Sequence, residues 1–278
     1  MFDRQGQTAM PRLATPPLSA RGLRLGYGTH PVLHDLDLDI PEGRMTVIVG
    51  PNGCGKSTLL KALARLVSPT AGEVRLEGQV LHGLPTRHVA QRLALLPQAP
   101  SLPEGLTVRD LVAQGRFPHQ GWLGRPHPGD EAAIDHALTQ TGITNLAERP
   151  VEALSGGQRQ RAWIAMVLAQ ETPLILLDEP TAWLDLRVQL DLMACLHRLT
   201  REAGRTLVLV LHELNLAAAY ADHMVMLREG RMIAEGAPDA VMTPALLHRV
   251  FGLEASVIAD PITGRPVCLP TCLPVAAA

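Results

Sequence analysis

The stretch Gly50-Pro51-Asn52-Gly53-Cys54-Gly55-Lys56-Ser57-Thr58 fits the pattern Gly-x-x-x-x-Gly-Lys-Ser/Thr in full. Glycines let such a backbone turn tightly and bring several N–H groups onto the β- and γ-phosphates of a nucleoside triphosphate. Lys56 adds a point charge among the same oxygens, and the Ser57 hydroxyl is of the type that binds Mg2+ there. Cys54 could react with thiol reagents without taking part in the chemistry. A second glycine pair lies in Leu154-Ser155-Gly156-Gly157-Gln158. Ser155 suits an N-cap, and Gly156 and Gly157 leave the first N–H groups of the next helix uncovered, a second arrangement that favours phosphate. Asp178 and Glu179 are adjacent carboxylates at the end of an apolar run. Alternation along a strand predicts that they diverge, so that one faces Mg2+ and the other an attacking water.

These groups need elements to hold them. Met45-Thr46-Val47-Ile48-Val49 is a short apolar run of the kind that forms a buried parallel strand. It leads straight into the glycine loop, and Thr58-Leu59-Leu60-Lys61-Ala62-Leu63 continues as a helix, which is the context the motif requires. Leu174–Leu177 and Leu207–Leu211 read as two further buried strands, ending in Asp178-Glu179 and His212-Glu213. In open parallel sheets ligands gather at the carboxyl ends of strands, so Gly50, Asp178 and His212 are expected to converge. Upstream, Leu23, Leu25, Leu33, Leu36, Leu38 and Ile40 alternate as in half-exposed antiparallel strands. Between Ala99 and Val151, Leu106–Val112 and Glu131–Leu138 read as helices separated by the Pro/Gly/Trp-rich stretch Phe117–Asp130, which suggests a helical insertion. Short strands are predicted at Met224–Leu227 and Arg231–Ala234, then a helix around Ala245–Val250.

Composition narrows the classes. The chain has 278 residues, of which 46% are hydrophobic, within the range of one large α/β domain. A formal net charge of −2 without a basic stripe gives no electrostatic case for a nucleic-acid partner. No apolar run reaches the roughly 20 residues that span a bilayer, and the first 20 residues lack the apolar centre of a secretory signal. Pro11, Pro16 and Pro17 make that stretch read as a mobile extension, and a cytosolic chain that serves a membrane by docking is the expectation. Cys268 and Cys272 lack a second ligand pair, so they read as free thiols rather than zinc ligands. His212-Glu213 lacks the second histidine of a zinc-protease helix, because Leu216 stands in its place.

Taken together, Gly50–Thr58 and Leu154–Gln158 resemble the phosphate loop and signature of ATP-binding cassette (ABC) proteins. The resemblance runs over roughly residues 21–270, with the family's other elements in order. It implies ATP and Mg2+ as ligands, Asp178 on Mg2+ and Glu179 as general base. By the same resemblance Gln98 is the Q-loop residue sensing Mg2+ and contacting the membrane partner, and Asp185 is the D-loop residue at the subunit junction. His212 becomes the switch histidine at the γ-phosphate, and Tyr27 the platform that stacks on adenine. The signature residues Ser155, Gly156, Gly157 and Gln158 would meet the ATP of a second copy in a two-fold, head-to-tail dimer.

The implied fold is a mainly parallel, helix-flanked P-loop ATPase sheet with an N-terminal antiparallel β subdomain. A helical subdomain is inserted at about 99–170, residues 1–20 form an extension and 271–278 a tail. A single cassette without spans resembles the separate ATPase subunit of a bacterial importer. Val108–His119, Gln160–Met166 and Asp260–Pro266 are similar to the iron–siderophore/haem/vitamin B12 branch, most of all to ferric-siderophore ATPases. Ala182-Trp183 departs from that branch, which often has a small residue followed by Tyr, Ala or Phe; this should tune the dimer junction. The implied partners are a second copy, a permease dimer docking beside Gln98 and the segment up to Trp122, and an extracytoplasmic binding protein. The implied place is the cytoplasmic face of the inner membrane, peripherally. Alternatives are haem or vitamin B12 as cargo, a soluble ABC ATPase acting on nucleic acid or ribosomes, and a cassette that binds ATP without turnover. The last would lack a competent carboxylate, yet Glu179 is present.

Overall fold

The computed structural model describes residues 15–98, 100, 104–121, 127–182 and 184–271. The expectations for residues 1–14, Ala99, Trp122, Trp183, Cys272 and the tail beyond it lie outside the described residues. In chain order the first elements are β1 (Leu18–Tyr27), β2 (His30–Ile40), β3 (Met45–Val49), α1 (Lys56–Leu63), β4 (Ala71–Leu76), β5 (Gln79–Val80), α2 (Thr86–Ala90) and β6 (Leu93–Leu96). Next come α3 (Val108–Ala113), α4 (Asp130–Gln140), α5 (Gly156–Ala169), β7 (Leu174–Asp178), α6 (Leu186–Ala203) and β8 (Thr206–Val210). The chain continues through α7 (Leu214–Tyr220), β9 (His223–Arg228), β10 (Arg231–Gly236), α8 (Pro238–Val241), α9 (Pro244–Phe251), β11 (Ala255–Ala259) and β12 (Pro266–Pro270).

The central sheet runs β10-β9-β3-β8-β7-β6. All its neighbours pair in parallel except β10, which is antiparallel to β9. Both of its faces are covered, which is why β3, β7 and β8 are continuously apolar rather than alternating. Alternate residues serve two different cores. Val47 and Val49 of β3, with Leu207 and Leu209 of β8, face α5, α6 and α7. Ile48, Val208 and Val210 face α1 and the antiparallel sheet β2-β1-β4-β5.

The alternating leucines of β1 and β2 pair as the pattern predicts, Leu23 opposite Leu36 and Leu25 opposite Leu33. The boundary of that sheet needs correcting: β1 begins at Leu18, inside the segment read as an extension. Leu18, Ser19 and Ala20 pair on both sides, with β2 and with β4, and are buried. Pairing on two sides outweighs the turn signal of Pro16 and Pro17.

Helices α3, α4 and α5 pack together as the insertion. Thr107 caps α3 through a reciprocal pair of bonds with Asp110. The insertion is tied to the core by Arg116, buried in the turn after α3, which donates to Asp130, Glu171 and the Ala169 carbonyl. Beside it, Gly115 packs so closely on α5 that a Cβ would sit 2.1 Å from the Met166 carbonyl oxygen. Gly115→Ala is therefore expected to lower stability by about 1–3 kcal/mol through overpacking, read as a fall in Tm. One element had not been expected: β11 and β12 form a separate antiparallel hairpin, with Val257 opposite Cys268.

Candidate active site

The carboxyl ends of β3, β7 and β8 do converge, and a cleft of about 720 Å³ opens there, a size suited to a small-molecule ligand. The loop between β3 and α1 forms its floor. Glycine is required at both ends of that loop. A Cβ on Gly50 would come within 2.3 Å of the Leu227 carbonyl oxygen. Gly55 holds φ at 104° with Leu33 directly above it. Gly55 also starts α1 with no side-chain cap; the Lys56 N–H goes to the Cys54 sulfur, and the start of the helix at Ser57 and Thr58 lines the cleft, where its dipole would favour an anion.

Side chains complete the arrangement. Lys56 is buried and donates to the carbonyls of Gly50 (2.8 Å) and Pro51 (3.0 Å), which leaves a third proton for a phosphate oxygen. Ser57 donates to Asp178 Oδ1 at 3.0 Å. Burial pushes the Asp178 carboxyl up, and the Ser57 hydrogen bond, Lys61 and Lys56 work against that shift. Glu179 sits at the mouth of the cleft: Gln98 Nε2 donates to its Oε2 at 2.6 Å, and His212 Nε2 lies 2.5 Å from its Oε1. Asp178 and Glu179 diverge as expected, but not by strand alternation. The strand ends at Asp178, and Glu179 turns out of it with φ 52°, in the left-handed region, while its N–H donates to the Val210 carbonyl.

Asn52, Gly53, Gly55, Lys56, Ser57, Thr58, Gln98, Glu179 and His212 all line the cleft. Pro51 and Cys54 lie on the other side of the loop, against Arg228 and Phe251. Tyr27 ends β1 half-exposed and stands outside the lining. The second glycine pair is elsewhere on the surface. Ser155 caps α5 and exchanges bonds with Gln158 at 3.3 and 3.1 Å, while Gly157 packs on Val188 at the start of α6. Asp185 caps α6 through the Val188 N–H and is followed by Leu186, which is 70% exposed. None of Ser155, Gly156, Gly157, Gln158 or Asp185 lines the cleft of its own chain. Sequence reasoning missed Val32, which leans over the loop from β2 and does line it. Alternation gave no signal for it: Val32 stands at even spacing from Leu36, Leu38 and Ile40, and only the register shift between Leu33 and Leu36 turns it to the other face.

The sequence model of the family described as "ABC transporter" matches residues 33–182. The chain belongs to this family. It is 50% identical to the iron(3+)-hydroxamate import ATP-binding protein FhuC of Bacillus subtilis, over 91% of this chain and 94% of that protein. It is also 50% identical to the ferric enterobactin transport ATP-binding protein FepC of Escherichia coli, over 91% and 93%. The hemin import ATP-binding protein HmuV of Streptomyces coelicolor is 44% identical over 91% and 89%. Among solved structures, the dimeric bacterial ABC transporter cassette MJ0796 superposes with a TM-score of 0.71 at 29% identity, over 79% of this chain and 98% of that one.

The cassette's fold is thus the ABC ATPase fold, with the antiparallel sheet and the helical insertion in place. Its oxygen donors suit Mg2+: one hydroxyl and one carboxylate, Ser57 and Asp178, beside a phosphate cradle. Among the described residues no group of three or more His, Cys, Asp or Glu is gathered to hold a metal.

Proposed function

We propose that this cassette is the ATP-hydrolysing subunit of a bacterial importer of ferric siderophores, acting as a dimer beneath a permease dimer. The observation that carries the catalytic part is Glu179 held between Gln98 and His212 at the mouth of the phosphate cleft. A carboxylate oriented from both sides is the group to accept a proton from an attacking water, with His212 facing the terminal phosphate. Lys56 and the first turn of α1 hold the phosphates, and Ser57 and Asp178 hold Mg2+, which when bound offsets charge on the transferred group. Tyr27, exposed at the end of β1, offers a ring for adenine.

Dimerisation is supported by the residues left outside the cleft. Ser155–Gln158, Asp185 and exposed Leu186 lie close together on one surface, because Gly157 touches Val188. In a two-fold pair that surface would complete the partner's cleft. The permease is assigned to the groove beside Gln98, and an extracytoplasmic binding protein would feed it. No helix of the described residues is long and apolar enough to cross a membrane, in keeping with a peripheral place at its cytoplasmic face. Siderophore is chosen over haem because the hydroxamate and enterobactin relatives stand nearer in identity than the hemin one.

A strain lacking the chain is expected to lose uptake of radiolabelled ferric siderophore and keep that of haem and cobalamin. Wild-type chain should restore uptake and Glu179→Gln should not. Loss of haem or cobalamin uptake instead would reassign the cargo.

A further inference from the structure

His212 is 40% exposed, so packing alone does not fix its ring. Glu179 meets the ring on one side, and the position from which it reaches Glu179 is set by its backbone, which is held from two sides. Before it, the Leu211 N–H donates to the Ile48 carbonyl and ties the end of β8 to β3. After it, α7 starts at Leu214. This helix has seven residues and no side-chain cap at its N-terminus. So short a helix has little stability of its own, and tertiary contacts must set its position.

Some of them come from the core beneath β3 and β8 and from the Tyr220 ring against His197 of α6, and the polar ties come from the C-terminal hairpin. In the first turn of α7, the Asn215 side chain takes both backbone groups of Cys268 on β12: its Oδ1 accepts from the Cys268 N–H at 2.8 Å, and its Nδ2 donates to the Cys268 carbonyl at 3.1 Å. This also covers the free edge that a two-stranded sheet would otherwise expose. At the far end of α7, the Arg265 guanidinium donates to the Ala221 carbonyl at 3.0 Å. The turn that presents Arg265 is ordered by Asp260, whose Oδ1 accepts from the N–H groups of Ile262 and Thr263. The Cys268 side chain is buried in the core that holds Ala217, Ala218 and Ala221.

We propose that the hairpin is a strap that positions His212 through α7, with Asn215 as a positioning residue and Arg265 as the second tie. This rests on the reading of His212 as the group that faces the terminal phosphate. The strap's ties run to α7 rather than to the phosphate loop, so the two properties should separate in kinetics.

ATPase assays on the purified full-length chain test it. Asn215→Ala is expected to lower kcat about tenfold, as a slightly misplaced group does. KM for ATP should stay within about twofold, because ground-state binding is untouched. Added to His212→Ala, the substitution should cost nothing further, since both act on one ring. Arg265→Ala should lower kcat and Arg265→Lys should restore most of it. Wild-type kcat in Asn215→Ala, or a loss that multiplies with that of His212→Ala, overturns the strap. If Asn215→Ala does not fold, the Arg265 pair decides: equal kcat in both overturns the proposal, and loss in Ala with recovery in Lys supports it. Wild-type turnover in His212→Ala itself would show that the role of His212 is wrong, and the strap's role falls with it.

Discussion

Glu179→Gln is expected to bind ATP at least as tightly as the wild type while turnover falls by about 100-fold or more, the usual contribution of a positioned general base. The geometry should survive the exchange. Gln98 donates to one oxygen of Glu179 and His212 approaches the other, and a carboxamide can accept the first bond and donate the second. The turn that carries residue 179 keeps its bond to Val210 through the backbone, so nothing in it depends on the carboxylate. What is lost is the group that can accept a proton. A negative charge at the mouth of a cleft for a triphosphate is lost as well, and that change favours binding. Two copies closed on ATP should therefore persist, visible as a dimer in size-exclusion chromatography with ATP present. Phosphate release at the wild-type rate would show that Glu179 is not the base.

Much of this site could be read before the structure because each part depends on local chemistry. The apolar run of β3 followed by its glycine loop leaves few alternatives, and Ser155 followed three residues on by Gln158 marks a helix start by itself. Features set by distant contacts were harder. The left-handed backbone of Glu179 is held by a bond from β8, and glutamate gives no hint of it. The hairpin β11–β12 has weak alternation and proline at both ends of β12, which argues locally against a strand. Its reason for existing lies about 50 residues upstream, on α7. The start of β1 was hidden in the same way, because two prolines precede strand residues whose partners are distant in sequence. Val32 enters the cleft only because β2 folds back over the loop.

Gly156→Asp is expected to leave the cassette folded and able to bind ATP, yet to cut turnover by about 100-fold or more, as the loss of a charge-stabilising site does. Within one chain nothing requires glycine at this position. It is exposed, its φ is ordinary, and a Cβ there would meet nothing within 4 Å. An aspartate in the first turn of α5 is even favoured by the helix dipole, worth about 0.3–1 kcal/mol. Stability and activity should thus move in opposite directions, which a defect in folding cannot produce. The need for glycine must come from outside the chain, from a phosphate brought to the end of α5 by a second copy, and a carboxylate there would repel it. Lys56→Ala removes the other half of the site, so the two variants together give a direct test. Each alone should be inactive. Mixed, about half of the dimers would pair one chain of each kind, and each such dimer holds one complete site of two. Turnover should then recover toward about a quarter of the wild-type value, with hydrolysis detectable in a single-turnover assay. A mixture no more active than its separate components would mean that each chain completes its own site.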